Sequence, residues 1–237
     1  MPFKERETNM EKHPVFRNEV KHIISLADKI AICANMKAIA GFDTHADDSG
    51  GYLIRSLYFD NIDDKALREK IIGISEREKF RIRYYNGDTS FIKLEKKVKR
   101  SGLGYKVTER LSAEEAQRIV NGDTDWMIHS GKALLIELYC KMKSQLLRPK
   151  TIVDYDRTPF IYAPGNVRVT IDENIRTGLH CTDFLNPDCI TVPADEPVII
   201  LEVKWDEYLP GIIKQAVQVK GVRSTAFSKY QTCRIYG

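Results

Sequence analysis

Eight stretches of this 237-residue chain alternate apolar and polar residues with a period of two, the spacing of a half-buried β-strand. Together their polar faces hold twelve basic side chains against five acidic ones. Arg17, Glu19 and Lys21 alternate with Phe16, Asn18 and Val20; Ser56, Tyr58 and Asp60 with Leu57 and Phe59; Lys79, Arg81 and Arg83 with Phe80, Ile82 and Tyr84. Lys93, Glu95 and Lys97 alternate with Ile92, Leu94 and Val98, and Lys106, Thr108 and Arg110 with Tyr105, Val107 and Leu111. Tyr155 and Arg157 mark a sixth stretch. Arg168, Thr170 and Asp172 alternate with Val167, Val169 and Ile171, and Glu202 and Lys204 with Ile199, Leu201, Val203 and Trp205.

A solvated face of an antiparallel sheet ordinarily mixes both charge signs with Thr, Ser, Gln and Asn. Like charges facing one another across strands are destabilising, so repeated basic triplets point to a polyanion held among them. Net charge does not reveal this, because 37 Lys+Arg against 33 Asp+Glu leave only +4, too little to announce a nucleic-acid binder. Stacking of bases is also disfavoured, since Phe80, Tyr84, Phe91 and Tyr105 are assigned mainly to the faces opposite the basic residues. Helical spacing over 25–40, 63–72, 112–120, 132–147 and 209–219, with a short helix at 225–233, supplies amphipathic cover for the apolar strand faces. Ser25-x-x-Asp28 and Ser112-x-x-Glu115 are capping-box starts, Pro149 is the stop for the fourth helix, and Leu26, Ile30, Cys33 and Met36/Lys37 fall near helical spacing as the apolar side of the first helix. The fold expected is α+β: a closed antiparallel eight-stranded β-barrel tunnel with a basic lumen, packed outside by helices. Residues 1–14 read as a flexible N-terminal tail and 15–237 as one domain.

Other chemistry is sparse. There is no phosphate-binding G-x-x-x-x-G-K-[ST] loop, no H-E-x-x-H zinc spacing and no nucleophile elbow. Asp154 and Asp156 read as turn or surface residues, and Arg55 shares parity with Leu53 and Leu57, away from the basic faces. Five cysteines without a C-x-x-C pair fit free thiols in a reducing compartment. No apolar run reaches a membrane span and the charged N-terminus is no secretory signal, so the expected location is cytoplasmic.

In order, Arg17-x-Glu19-x-Lys21, Ser56-Leu57-Tyr58-Phe59-Asp60-Asn61, Arg77-x-Lys79-x-Arg81-Ile82-Arg83-Tyr84, Leu94-Glu95-Lys96-Lys97, Tyr105-Lys106 to Arg110, Tyr155-x-Arg157, Arg168-Val169, Leu201-Glu202-Val203-Lys204 and Phe227-Ser228-Lys229-Tyr230 resemble the catalytic domain of vacuolar transporter chaperone (VTC) polyphosphate polymerases. That domain belongs to the triphosphate tunnel metalloenzyme, or CYTH-like, superfamily. The resemblance implies a tunnel that binds triphosphate and polyphosphate with Mn²⁺ or Mg²⁺. It carries Lys21, Arg81, Arg83, Lys97, Lys106, Arg157, Arg168 and Lys229 over as phosphate-holding residues, Ser228 as an aid at the tunnel end, and Glu202 as the metal ligand. Arg81, Arg83, Lys97, Arg157 and Glu202 form the catalytic set. Face parity adds Lys79, Lys93, Arg110 and Lys204 to the phosphate-binding residues, Glu19 and Glu95 as further carboxylates for the metal, and Tyr58 and Tyr155 as substrate-positioning groups.

The implied reaction is transfer of the γ-phosphate of ATP to a growing polyphosphate chain. Triphosphate hydrolysis in the same tunnel and non-catalytic polyphosphate binding are the alternatives, and a membrane or regulatory protein is a further partner. Departures from the superfamily pattern fit the polymerase branch: Glu19 alone precedes Lys21 in the opening motif, and Lys204 stands where a second late glutamate would. The phosphate-sensing SPX region and the membrane helices of eukaryotic polymerase subunits do not occur in the sequence.

Overall fold

The computed structural model describes residues 16–43, 46, 50–219, 221 and 223–235; the expected tail at 1–14 lies outside them. In chain order the elements are β1 (Asn18–Ile24), α1 (Leu26–Ile39), β2 (Gly41–Phe42), β3 (Tyr52–Asp60), α2 (Lys65–Ile72), β4 (Arg77–Tyr85), β5 (Asp88–Arg100) and β6 (Leu103–Leu111). They continue with α3 (Ala113–Val120), α4 (Ala133–Ser144), β7 (Arg148–Tyr162), β8 (Val167–Thr177), β9 (Val192–Pro193), β10 (Ile199–Trp205), α5 (Gly211–Ala216) and α6 (Lys229–Ile235). Both expected capping boxes are formed: the Ser25 and Ser112 hydroxyls accept from the amides of Asp28 and Glu115, whose carboxylates accept from the cap amides in return.

Eight strands form one antiparallel path, β1-β10-β8-β7-β3-β4-β5-β6, with the two-residue β2 and β9 attached to β7 and β8. The sheet curls, but the expected closed barrel is not what it makes. Its edge strands β1 and β6 meet through a single bridge, in which the Arg17 amide donates to the Gly104 carbonyl at 3.1 Å. No ladder follows among the described residues. Part of the reason is that the C-terminal segment meets β1 instead, the Thr225 amide donating to the Lys21 carbonyl at 2.8 Å.

The convex face is apolar, as the alternation requires. Phe80, Ile82, Leu94, Ile92 and Leu111 pack under α3 and α4, and Val169, Ile171, Leu201 and Val203 under α1 and α5. Each such fully buried side chain contributes about 1.5–3 kcal/mol relative to exposure. A third cluster lies on the concave face, where Ile54, Tyr58, Val153, Tyr155 and Ile200 receive Tyr230 and Cys233 of α6. The concavity is therefore basic over only part of its surface, and α6 fills the rest.

Three local expectations are corrected. Helix α1 buries Ile32 and Met36, leaving Leu26 and Ile30 each 61% exposed; apolar residues lie on more than one side of this helix, so periodicity did not fix the buried face. Helix α4 stops at Ser144, and Pro149 lies inside β7, opposite Phe59 beside a register shift. Asp154 is no turn or surface residue: it is buried in β7, where the Arg55 guanidinium donates to it through Nε and Nη2 at 3.0 and 2.9 Å on the convex side.

The β7–β8 turn depends on Gly165, whose φ is +73°. A Cβ there would stand 2.6 Å from the Tyr208 carbonyl oxygen. Gly165→Ala is expected to cost more than about 1 kcal/mol, read from the denaturation midpoint; an unchanged midpoint would show that this turn relaxes freely.

Candidate functional site

Strand register places the basic residues side by side across the concave face. One row runs Ser56, Arg83, Lys93, Arg110 over β3 to β6; the next runs Tyr58, Arg81, Glu95, Thr108; a third sets Lys79, Lys97 and Lys106 together. On the other wing, Lys21 faces Glu202 and Glu202 faces Thr170, while Glu19, Lys204 and Arg168 make the adjoining row and Arg157 faces Asp172. Residues far apart in sequence thus share one surface.

Glu95 is 1% exposed and is the hub of the first wing. It accepts from Arg81 Nε at 2.8 Å and Lys106 Nζ at 2.6 Å, with Arg83 Nε at 3.6 Å. Burial alone would raise its carboxyl, but Arg81, Arg83 and Lys106 outweigh it and hold Glu95 well below the usual carboxylate range. The Tyr58 hydroxyl accepts from Arg81 Nη1 at 2.7 Å and the Tyr155 hydroxyl from Arg83 Nη2 at 2.9 Å. Both tyrosines therefore orient guanidinium forks. Lys79 and Arg81 also lie over the Tyr58 ring, and Arg157 and Lys229 over that of Tyr155.

The second wing has three carboxylates. Glu202 takes Lys204 Nζ at 2.5 Å and lies 3.8 Å from Arg157 Nη2. Glu19 takes Lys97 at 2.8 Å and Lys21 at 3.1 Å, with Lys204 at 3.7 Å. Asp172, with no exposed surface, accepts Arg157 Nε and Nη2 at 2.6 and 2.7 Å and Lys229 Nζ at 2.5 Å. For Glu202, burial raises the carboxyl while Lys204, Lys21, Lys97 and Arg157 bring it well below its ordinary value. For Glu19, burial and the Glu202 charge raise it, and Lys97, Lys21 and Lys204 lower it to about 2. Both are hard, ionised oxygen donors. Among the described residues no three His, Cys, Asp or Glu gather at one point.

The cations are not all neutralised. Among the described residues Lys79, Lys93 and Arg110 form no ion pair with a carboxylate. Lys93 and Arg110 instead flank Phe91, at 4.5 and 5.2 Å from its ring centre. Phe91 therefore shares the basic face, contrary to the assignment made from sequence; it stands two residues before Lys93 and has the same parity. Burial, then Arg81 and Lys21, bring the Lys79 amine down to about 7, against the pull of Glu19. Lys229 and the cross-strand Lys97 also face it.

In the unfolded chain Lys79 regains its ordinary value of 10.5, so between about pH 7 and 10 the unfolded state holds the extra proton and stability rises with pH. Melting scans over that window should show this rise, diminished in Lys79→Met. An identical slope in the variant would mean that Lys79 is not the group under strain.

Most expected site residues come together. Arg168 joins them through Nη2, which donates to Asp43 and to the Tyr52 hydroxyl, both at 2.7 Å. Arg17 does not join; it is held by Asp206 at 2.7 Å. Ser228 caps the start of α6, its hydroxyl accepting from the Gln231 amide at 3.4 Å, and Asp60 accepts from amides at the start of α2 and from Tyr230. Sequence reasoning placed Asp172 on the basic face but assigned it no role, and it missed Tyr52 and Asp43. Tyr52 has the parity of Ser56 and Tyr58, which could have flagged it; Asp43 lies in a loop and carried no periodic signal.

The sequence matches the VTC domain model over residues 16–235. The chain belongs to the VTC domain family. No curated protein matches it. Among solved structures it is similar to the PH1012 protein of Pyrococcus horikoshii, at 15% identity and a TM-score of 0.47, covering 87% of this chain and 94% of that one. It is also similar to a Bacillus halodurans protein provisionally named an adenylate cyclase, at 14% identity and a TM-score of 0.46, covering 79% and 81%. Among the described residues of this VTC domain no helix is long and apolar enough to cross a membrane.

Proposed function

We propose that this VTC domain is a polyphosphate polymerase, transferring the γ-phosphoryl group of a nucleoside triphosphate to the end of a polyphosphate chain held on the concave face as in a tunnel. The observation that carries the reading is the excess of converging cations. Rows Arg83–Lys93–Arg110 and Lys79–Lys97–Lys106 set like charges on neighbouring strands, an arrangement that a chain of phosphates stabilises and water alone does not.

Phosphoryl transfer needs alignment and charge stabilisation more than covalent work by the protein. Arg81, Arg83, Lys97 and Arg157 would neutralise the transferring group, with Arg81 and Arg83 oriented by Tyr58, Tyr155 and Glu95. Lys21, Lys79, Lys93, Lys106, Arg110, Arg168, Lys204 and Lys229 would hold the flanking phosphates. An already anionic phosphate oxygen at the chain end attacks the γ-phosphorus as its bond to the β-γ bridging oxygen breaks and nucleoside diphosphate leaves, so the reaction requires no general base. Glu202, with Glu19 beside it, fits a divalent cation of the Mg²⁺ or Mn²⁺ type, which one or two carboxylates hold while phosphate oxygens and water complete its shell. When bound, such a cation would offset the charge of the phosphates. Glu95, on the other wing, fixes Arg81, Arg83 and Lys106 in place.

The test is incubation with ATP and Mn²⁺ or Mg²⁺. Polymerase activity predicts long polyphosphate on a gel. Orthophosphate as the sole phosphate product would replace the reading with triphosphate hydrolysis, and binding without turnover under either metal with a non-catalytic polyphosphate binder.

A further inference from the structure

Among the described residues, two buried polar atoms at the heart of the site have no hydrogen-bond partner: the Thr170 hydroxyl and Arg168 Nε. Both residues belong to β8 and, two apart, share its concave face. Thr170 is only 3% exposed, and an unmet buried hydroxyl is costly. Its cross-strand and same-strand neighbours are engaged elsewhere or carry no polar side chain. Across one strand pair stands Pro159, whose side chain is apolar; across the other stands Glu202, whose Oε1 is held by Lys204 at 2.5 Å. Along β8, Asp172 is taken by Arg157 and Lys229, while Arg168 spends Nη2 on Asp43 and Tyr52.

The chemistry of the two orphans identifies the missing partner. Guanidinium Nε can only donate, so a ligand shared by both must supply acceptor oxygens. A bare cation would be repelled by Arg168. An oxyanion with several oxygens satisfies both groups, and donors to a charged oxygen form the stronger class of hydrogen bond.

We propose that Thr170 is a phosphate ligand, its hydroxyl donating, together with Arg168 Nε–H, to the oxygens of a phosphoryl group seated beside Glu202. This rests on the anion-binding reading given above and adds a neutral contact to a site otherwise described by its charges. A hydroxyl there is satisfied only when phosphate is present, so its loss separates binding from folding.

The experiment is calorimetric titration of inorganic tripolyphosphate, with and without Mg²⁺, into wild type, Thr170→Val and Thr170→Ser, with melting scans of each free protein. Thr170→Val keeps the shape and removes the hydroxyl. It should bind about tenfold more weakly, the loss of one hydrogen bond to a charged group, while the free protein melts at the same temperature or higher. Thr170→Ser keeps a hydroxyl and should bind as wild type does. Unchanged affinity in Thr170→Val, with wild type binding, would overturn this proposal alone. A clear drop in the free variant's melting temperature would overturn it too, since the hydroxyl would then have a partner in the fold. Wild type that takes up no tripolyphosphate would overturn the anion-binding reading and this proposal together.

Discussion

Glu202→Gln should reduce polyphosphate synthesis by about a hundred- to a thousandfold, the usual loss when one electrostatic group that stabilises a transition state is removed. Tripolyphosphate binding should survive, and tighten where no metal is added. The two effects diverge because the carboxylate repels phosphate directly and is useful only through the cation it would hold. Lys204, Lys21, Lys97 and Arg157 together keep it ionised despite burial, so a neutral amide leaves those four cations to the ligand. Turnover at the wild-type rate with metal present would remove Glu202 from the mechanism.

Asp172→Asn should have the largest effect on folding. The carboxylate has no exposed surface and accepts two hydrogen bonds from Arg157 and one from Lys229. Burial raises its carboxyl, yet Arg157 and Lys229 lower it to about 2, so it is charged at any working pH. Removing one partner of a buried ionic cluster leaves uncompensated charge and costs about 3–5 kcal/mol. Denaturant unfolding reads this directly, and a cost below about 1 kcal/mol would mean that Arg157 and Lys229 find other partners. Tripolyphosphate should raise the melting temperature of the variant more than that of wild type, since the ligand supplies the missing negative charge. Asp172 also ties α6 to the site through Lys229, so the variant should lose part of the packing of Tyr230 against Tyr58, whose rings stack at 5.0 Å.

What the sequence made legible follows from what the pleat repeats. Where one strand face is apolar and the other charged, as in β4, β5, β8 and β10, parity alone put Arg81, Arg83, Lys97, Arg168 and Glu202 on one surface. Strand β7 was recognised only at Tyr155 and Arg157, because Ile152, Val153, Asp154 and Tyr155 are all buried and a strand covered on both faces does not alternate. The same double burial hid the Arg55–Asp154 pair on the convex side. Eight alternating segments are compatible with a closed barrel, but parity carries no information about whether edges pair, and a backbone contact from Thr225 to β1 leaves no periodic trace. The loop residue Asp43 and the entry of the C-terminal helix into the concavity leave no such trace either, although a short helix near 225–233 is itself legible. A partner chosen by tertiary proximity has no fixed spacing along the chain.

Side chains of β4, β5, β7, β8 and β10 are expected to act as one phosphate-binding surface. A crystal structure with tripolyphosphate and Mn²⁺ bound examines it most directly. Phosphorus positions should run between Arg81, Arg83, Lys97, Arg157 and Arg168, with the cation against Glu202. An anion seated elsewhere, with those five side chains still paired only to Glu95, Glu19, Asp172 and Asp43, would contradict it.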